Sequence, residues 1–203
     1  MQRWKRDLVI KAIMIVLIII AAIAADTKTI VCIVDSGVGK ESGVPMCDGK
    51  YDEDTWGHGT QVAKTIAAYA GDNYCIRSYK VFYSKEKILP IADAIDKTIG
   101  CDVINLSIDS NENFIQDEYT ALYKASQDHK IFISAGNAGE NLDNRLLFPV
   151  GYKLINWTII GNESKISNHG KIVNQIENRC YKEFCGTSAS VAIATGKYVK
   201  GLK

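Results

Sequence analysis

The residues best suited to chemistry are an aspartate, a histidine and a serine, each in a short segment rich in small residues. These segments read IVDSGV around Asp35, WGHGT around His58 and CGTSAS around Ser188. A carboxylate can hold an imidazole in one tautomer, and that imidazole can remove the proton of a serine hydroxyl that attacks a carbonyl carbon. Alone, Asp35 and Ser188 are better explained as a turn residue and a helix cap. Only the three together predict nucleophilic catalysis.

An asparagine could stabilise the negative charge that such an attack creates. Asn137 lies in the segment ISAGNAG, directly after an apolar run. Its side-chain amide can donate a hydrogen bond to an oxyanion, although an asparagine here is also a common turn residue. Ser188 stands where a helix of small residues would begin, and the N-terminus of that helix would favour an oxyanion as well.

These residues need a scaffold, and the hydrophobic pattern predicts an α/β fold. Apolar or alternating runs indicate strands over 29–34, 77–83, 103–108, 130–134 and 154–160. Helical periodicity predicts helices over 59–69, 88–99, 118–127 and 188–199. The alternation of the two predicts three layers, a mostly parallel sheet with helices on both faces, in which sites lie at the carboxyl ends of the strands.

The first 25 residues have the pattern of an export segment. Arg3, Lys5 and Arg6 precede an apolar run that begins at Leu8, is interrupted once by Lys11 and continues over 12–25. Ala22-Ile23-Ala24 offers a small-residue cleavage site, as in a signal peptide. If the run is counted from Leu8 instead, and Lys11 extends its charged end to the membrane surface, the run is about long enough for a membrane anchor. A buried core helix is disfavoured because the run is apolar all round. Both main interpretations export residues 26–203, which are expected to be secreted or periplasmic, or anchored with this domain outside the cytoplasm.

The chain has six cysteines, and an exported protein can form disulfides. Cys180 and Cys185 are close enough to close a small loop, whereas Cys32 lies in an apolar strand and is expected to be a buried thiol. The pairing does not follow from the spacing. No C-x-x-C motif or Cys/His cluster has zinc spacing, so neither a metal nor a cofactor is expected.

Charge and composition exclude several other functions. Lys and Arg number 24 against 23 Asp and Glu, so a net charge of +1 creates no field that would attract nucleic acid. The segment SGVGK, over 36–40, follows a strand as a phosphate loop does, but Val34 and Glu41 replace the Gly and the Ser or Thr that such a loop requires. A nucleotide-binding protein is therefore disfavoured.

The order Asp, His, Ser and the five segments together resemble the subtilisin-like serine proteases, or subtilases, over residues 28–200. IVDSGV, GHGTQVAKTIAA and GTSAS are similar to the family's Asp, His and Ser motifs, VINLSI to its substrate-binding strand and ISAGNAG to its oxyanion segment. The resemblance implies that residues 26–203 form a subtilisin-like catalytic domain. It implies an endopeptidase that cleaves proteins or peptides through an acyl-enzyme.

The resemblance also assigns roles to individual residues. Ser188 would be the nucleophile, His58 the base, and Asp35 the residue that orients the imidazole. Asn137 and the Ser188 backbone N–H would form the oxyanion hole. The substrate backbone would pair, as an added strand, with Ser107, Ile108 and Asp109. One wall of the substrate pocket would be formed by Ser134, Ala135 and Gly136.

Some features depart from the family pattern. The stretch 68–77 is short where relatives often have a calcium loop, so we expect that ion site to be absent. Asp109 stands where a glycine is usual, beside the substrate strand. Relatives usually have a folding propeptide, whereas here only about four residues separate Ala25 from the first predicted strand. Folding is therefore expected to proceed unaided or with the help of a separate chain. The main alternative is a catalytically inactive relative that binds peptides, which the loss of a triad residue would indicate, and all three are present.

Overall fold

The structure is a computed structural model that describes residues 10–16, 27–83, 88–108 and 111–202. Residues 10–16 form the helical segment α1, which is exposed. Within the described ranges, no helix is long and apolar enough to cross a membrane. The predicted cleavage site and most of the export segment lie outside the described residues, as does Asp109.

A six-stranded sheet forms the centre of the fold, and all of its neighbouring strands are parallel. Its strands are Thr29–Asp35 (β1), Tyr74–Lys80 (β2), Val103–Leu106 (β3), Lys130–Ser134 (β4), Trp157–Gly161 (β5) and Gln175–Ile176 (β6). The spatial order is β2-β1-β3-β4-β5-β6. Strand order therefore reverses direction between β1 and β3, and ligands of such sheets bind in the crevice outside the carboxyl ends at that point.

Four α-helices of the described residues flank this sheet, and a hairpin precedes the last of them. The helices are His58–Ala70 (α2), Ile91–Ile95 (α3), Gln116–Asp128 (α4) and Thr187–Gly201 (α5). Strands Cys180–Tyr181 (β7) and Phe184–Cys185 (β8) pair antiparallel just before α5. Helices α2 and α5 pack against one another on one sheet face, and α3 and α4 on the other.

The two sheet faces explain why the strands read as continuous apolar runs. In β1, Val31 and Ile33 pack among residues of α2 and α5, whereas Cys32 and Val34 pack on the side of α3 and α4. Successive side chains of a strand point to opposite faces, so a strand covered on both sides must be apolar at every position. The predicted three-layer α/β architecture is confirmed.

The bounds of several elements differ from the predictions, among them the strands predicted over 103–108 and 154–160, which run over Val103–Leu106 and Trp157–Gly161. In two further cases neighbouring residues explain the difference. The strand predicted over 77–83 runs over Tyr74–Lys80 instead, since it pairs with β1 from Thr29 and β1 ends opposite Lys80. The helix predicted over 88–99 is reduced to α3, because Pro90 disfavours helical geometry in the residue before it and Gly100 closes the following turns at φ 76°.

All six cysteines form disulfides. The pairs are Cys32–Cys101, Cys47–Cys75 and Cys180–Cys185. The last pair closes the small loop that its spacing predicted. Cys32 is fully buried, but the expectation of a free thiol was wrong, because Cys101 lies 5.9 Å away between Cα atoms on the same side of the sheet.

Candidate active site

Strand β1 ends in a buried carboxylate that faces α2. Asp35 has the same parity as Val31 and Ile33, so its side chain points to the sheet face that α2 covers. The side chain is 1% exposed. Its Oδ1 accepts a hydrogen bond of 2.7 Å from the Ser36 N–H, and its Oδ2 is buried with no hydrogen-bond partner among the described residues. A carboxylate so poorly solvated strongly favours a cation at its side.

Helix α2 begins at His58, and its first turn delivers the imidazole to that carboxylate. The His58 Nδ1 lies 2.7 Å from Asp35 Oδ1. Because an ionised carboxylate only accepts hydrogen bonds, Nδ1 donates this bond, and the lone pair of the neutral ring is then on Nε2. The ring is 27% exposed, so it is accessible from the solvent side.

The start of α2 is held in place by groups that satisfy its unpaired N–H donors. Asp54 accepts hydrogen bonds from the Gly57 N–H at 2.8 Å and from the Thr60 N–H at 2.9 Å. The Gly59 N–H donates to Ser36 Oγ at 2.9 Å. These bonds tie the helix to the segment that follows β1, which fixes where His58 meets Asp35.

Ser188 is the second residue of α5, and Asn137 fixes the first turn of that helix. Asn137 Oδ1 accepts hydrogen bonds from the Thr187 N–H at 2.9 Å and from Thr187 Oγ1 at 3.1 Å. These two bonds identify Oδ1 as the acceptor that faces α5, so Nδ2 is the donor of this amide. The Ser188 N–H belongs to the first helical turn, whose N–H groups lack acceptors within the helix. Both donors that an oxyanion would need therefore belong to neighbouring residues of one site.

A chain of buried hydrogen bonds connects the nucleophile candidate to the sheet. Thr195 Oγ1 donates to Asn105 Oδ1 at 2.9 Å, and Asn105 Nδ2 donates to Ser107 Oγ at 2.9 Å. Ser107 Oγ in turn donates to the Ser188 carbonyl at 3.3 Å, and Ser188 Oγ donates to the Ser107 carbonyl at 3.4 Å. Asn105 and Thr195 are fully buried. The end of β3 and the first turn of α5 are thus held together through polar side chains.

One cavity of about 850 Å³ adjoins these groups, and it lies at the β1–β3 reversal. His58, Ser188 and Asn137 line it together with Ser107 and Ile108. Its aromatic lining residues are Trp56, Phe82 and Phe184. The Phe184 ring meets the His58 ring edge-on, with centroids 5.4 Å apart. The cavity therefore joins a polar end to apolar walls, as ligand-binding pockets do.

The three residues that the resemblance assigns to a pocket wall do not line this cavity. Ser134, Ala135 and Gly136 are buried and are not among the lining residues of the cavity. Ser134 Oγ donates to the Ile108 carbonyl, and Asn168 Nδ2 donates to the Ala135 carbonyl at 2.8 Å. Their role as a substrate wall stays a prediction.

Sequence reasoning missed several groups of this site. Asn105 lies within a predicted strand, and its separation of 90 residues from Thr195 hides their contact. Trp56 lies two residues before His58 in the sequence, so the histidine could have indicated that the tryptophan belongs to the site. Glu118, which also lines the cavity, carried no signal beyond its place on an amphipathic helix. Within the described ranges, no group of three or more His, Cys, Asp or Glu residues could hold a metal ion.

Comparisons with known proteins support the fold. No protein-family profile matches the chain, and no curated protein sequence matches it either. Solved structures of proteases do match. A protease from Pseudoalteromonas arctica is 16% identical with a TM-score of 0.63, covering 84% of this chain and 76% of that chain. The epidermin leader peptide processing serine protease of Staphylococcus aureus is 20% identical with a TM-score of 0.59, covering 87% and 66%. A psychrophilic protease is 18% identical with a TM-score of 0.61, covering 86% and 77%.

At identities this low, the likeness shows the fold alone. The chain has the α/β fold of these proteases, one of which is a serine protease, and it spans 66–77% of their length.

Proposed function

We propose that the chain is a subtilisin-like serine endopeptidase with the triad Asp35, His58 and Ser188. The observation that carries the proposal is the 2.7 Å contact between His58 Nδ1 and Asp35 Oδ1, made beside a cavity that Ser188 and Asn137 also line. The order of the three residues in the chain and the protease structures with the same fold support it.

In the proposed reaction, Ser188 Oγ attacks the carbonyl carbon of a bound peptide while His58 Nε2 takes its proton. Asp35 stabilises the imidazolium that results, which its poorly solvated carboxylate is suited to do. The Asn137 amide and the Ser188 N–H donate to the oxyanion of the tetrahedral intermediate. The intermediate then breaks the peptide C–N bond, and the imidazolium protonates the departing amine.

The second half of the reaction restores the enzyme. A water molecule loses a proton to His58 Nε2 and attacks the acyl carbon on Ser188. The collapse of the second intermediate releases a carboxylic acid, and the imidazolium returns the proton to Ser188 Oγ. The substrate backbone would pair with Ser107, Ile108 and Asp109 as an added strand, which the position of the first two residues along the cavity supports.

We further propose that the domain is exported, by a cleaved signal peptide or a retained anchor at residues 1–25. Three disulfides support this location, because they persist in oxidising compartments. A peptide-binding relative without activity is the second candidate. The presence of all three triad residues favours the enzyme over it.

A double-mutant cycle on peptide hydrolysis tests the proposal. Ser188→Ala and His58→Ala should each lower kcat by several powers of ten, and the double variant should lose little more, because the two groups act as one unit. His169→Gln, at an exposed histidine, is the matched control and should retain activity. Additive losses, or full activity in either single variant, would contradict the triad.

A further inference from the structure

A buried carboxylate outside the triad lines the same cavity. Glu118 lies in the first turn of α4 and is 7% exposed. Its Oε1 lies 3.2 Å from the Tyr152 hydroxyl. That hydroxyl has one proton, and the Ile115 carbonyl, also at 3.2 Å, competes for it. One hydroxyl proton shared between two acceptors is weak compensation for a carboxylate this deeply buried.

Burial has an electrostatic consequence for this group. Loss of solvation raises the pKa of Glu118 above its ordinary value of 4.5, and the Tyr152 hydrogen bond only partly opposes this effect. Burial also raises the pKa of Tyr152 to about 12, so its hydroxyl stays protonated and uncharged beside Glu118. A cation brought next to Glu118 would recover the solvation that the carboxylate has lost.

The rest of the cavity wall suits a long side chain with a charged end. The apolar lining residues on this side include Ile88, Leu89, Ile91 and Ile115. Asp117 adds a second carboxylate, and no lysine or arginine is among the described lining residues. Lysine and arginine bury an aliphatic stem along apolar surface and keep a cationic head at its end.

We propose that Glu118 is a specificity-determining residue that binds the lysine or arginine side chain of a peptide substrate lying in this cavity. The inference rests on the proposed function only in that the bound molecule is a peptide. If Glu118 had a purely structural role and only stabilised Tyr152 and the start of α4, it would not affect the ratio of kcat/KM between basic and neutral substrates.

Hydrolysis of fluorogenic peptide libraries tests the proposal. Each position before and after the scissile bond is scanned with lysine, arginine, glutamine and norleucine, which has the length of the lysine stem without its charge. For the wild-type protein, kcat/KM should favour a basic residue over norleucine by roughly 10- to 100-fold at one position. Glu118→Gln should lose that preference and still cleave the norleucine peptides.

Two further variants separate specificity from stability. Asp128→Asn makes the same charge change at the exposed far end of α4 and should keep the preference. Tyr152→Phe removes the hydroxyl but leaves the carboxylate, so it should keep the preference even if its melting temperature falls. A preference that survives in Glu118→Gln, or one that disappears in Tyr152→Phe alone, would overturn the proposal.

A binding experiment keeps this inference separate from the proposed chemistry. Immobilised Ser188→Ala protein is incubated with the same peptides, and the retained ones are identified by mass spectrometry. Basic peptides should be enriched, and Ser188→Ala combined with Glu118→Gln should abolish the enrichment. If no peptide is ever cleaved but basic peptides are still enriched, the catalytic proposal fails and this one stands. Absence of enrichment overturns the role of Glu118.

Discussion

A methyl group on Gly59 would collide with the backbone carbonyl oxygen of Gly37. The same Cβ position lies 3.1 Å from Asp35 Cβ and 3.2 Å from Asp35 Oδ1. The close approach of α2 to the end of β1 therefore requires that residue 59 has no side chain. The contact between His58 and Asp35 depends on the same close approach.

Gly59→Ala should separate His58 from Asp35. The clash is with backbone, so α2 must move outward, and a displacement of about 1 Å can lower kcat by about 10²-fold. Stability should fall by about 1–3 kcal/mol, as in overpacked cores. Gly201→Ala, at a helix end where a Cβ meets nothing within 4 Å, is the matched control and should change neither quantity appreciably. Kinetics and thermal unfolding of both variants decide the outcome.

Asn137→Ala should mainly affect the chemical step. Removing one oxyanion donor typically lowers kcat by about 10²–10³-fold, with KM nearly unchanged. The variant also deprives Thr187 of its acceptor, so Thr187→Val serves as the comparison, because it removes the Thr187 hydroxyl and keeps the Asn137 amide. Steady-state kinetics should show a much smaller loss of kcat for Thr187→Val. Equal losses would mean that Asn137 acts by positioning α5.

Thr195→Val should loosen the buried chain of hydrogen bonds behind Ser188. It leaves Asn105 Oδ1 without a donor, which should cost about 1–3 kcal/mol of unfolding free energy. We also expect kcat to fall several-fold with KM little changed, since Ser107 holds the first turn of α5. Thr65→Val is the matched control, because the buried Thr65 hydroxyl donates only within its own helix, to the Gln61 carbonyl. A loss of stability without any change in kcat would show that the chain of bonds is structural only.

Glu118 should make stability depend on pH in a defined direction. Because burial raises its folded-state pKa above 4.5, the folded chain holds the Glu118 proton more tightly than the unfolded chain does. The resulting stability is present below about pH 4 and is lost as the pH rises through the folded pKa. Glu118→Gln should therefore melt higher than the wild type at neutral pH and equally at low pH. A difference in melting temperature that narrows as the pH rises would contradict this reasoning.

The fold class could be predicted because each strand is covered on both faces. Strand β4 has the predicted bounds, 130–134, since every strand residue after Lys130 is buried and the chain bends soon afterwards, at 137–138. The same logic failed for α3, where Pro90 rather than apolar periodicity sets the first residue. The local sequence pattern thus predicted which elements form. It missed boundaries that are set by a particular neighbouring residue, such as the start of α3 at Pro90.

The triad candidates could be predicted because each lies in a distinctive local segment. The groups around them could not, since their roles arise from contacts across the chain. Asn105 and Thr195 meet only when β3 and α5 pack together. Glu118 is polar in sequence and buried in the fold because Tyr152, 34 residues away, lies against it.

Labelling with a serine-directed fluorophosphonate tests the triad most directly. The protein is treated with the reagent, digested, and the modified serine is located by mass spectrometry. The account predicts a phosphonylated Ser188, half-buried at the cavity, and no label on Ser190, which is fully buried with its hydroxyl donating to the Asn178 carbonyl. Labelling should be absent in Ser188→Ala and strongly slowed in His58→Ala. Labelling of another serine, or unchanged labelling in His58→Ala, would contradict the proposed mechanism.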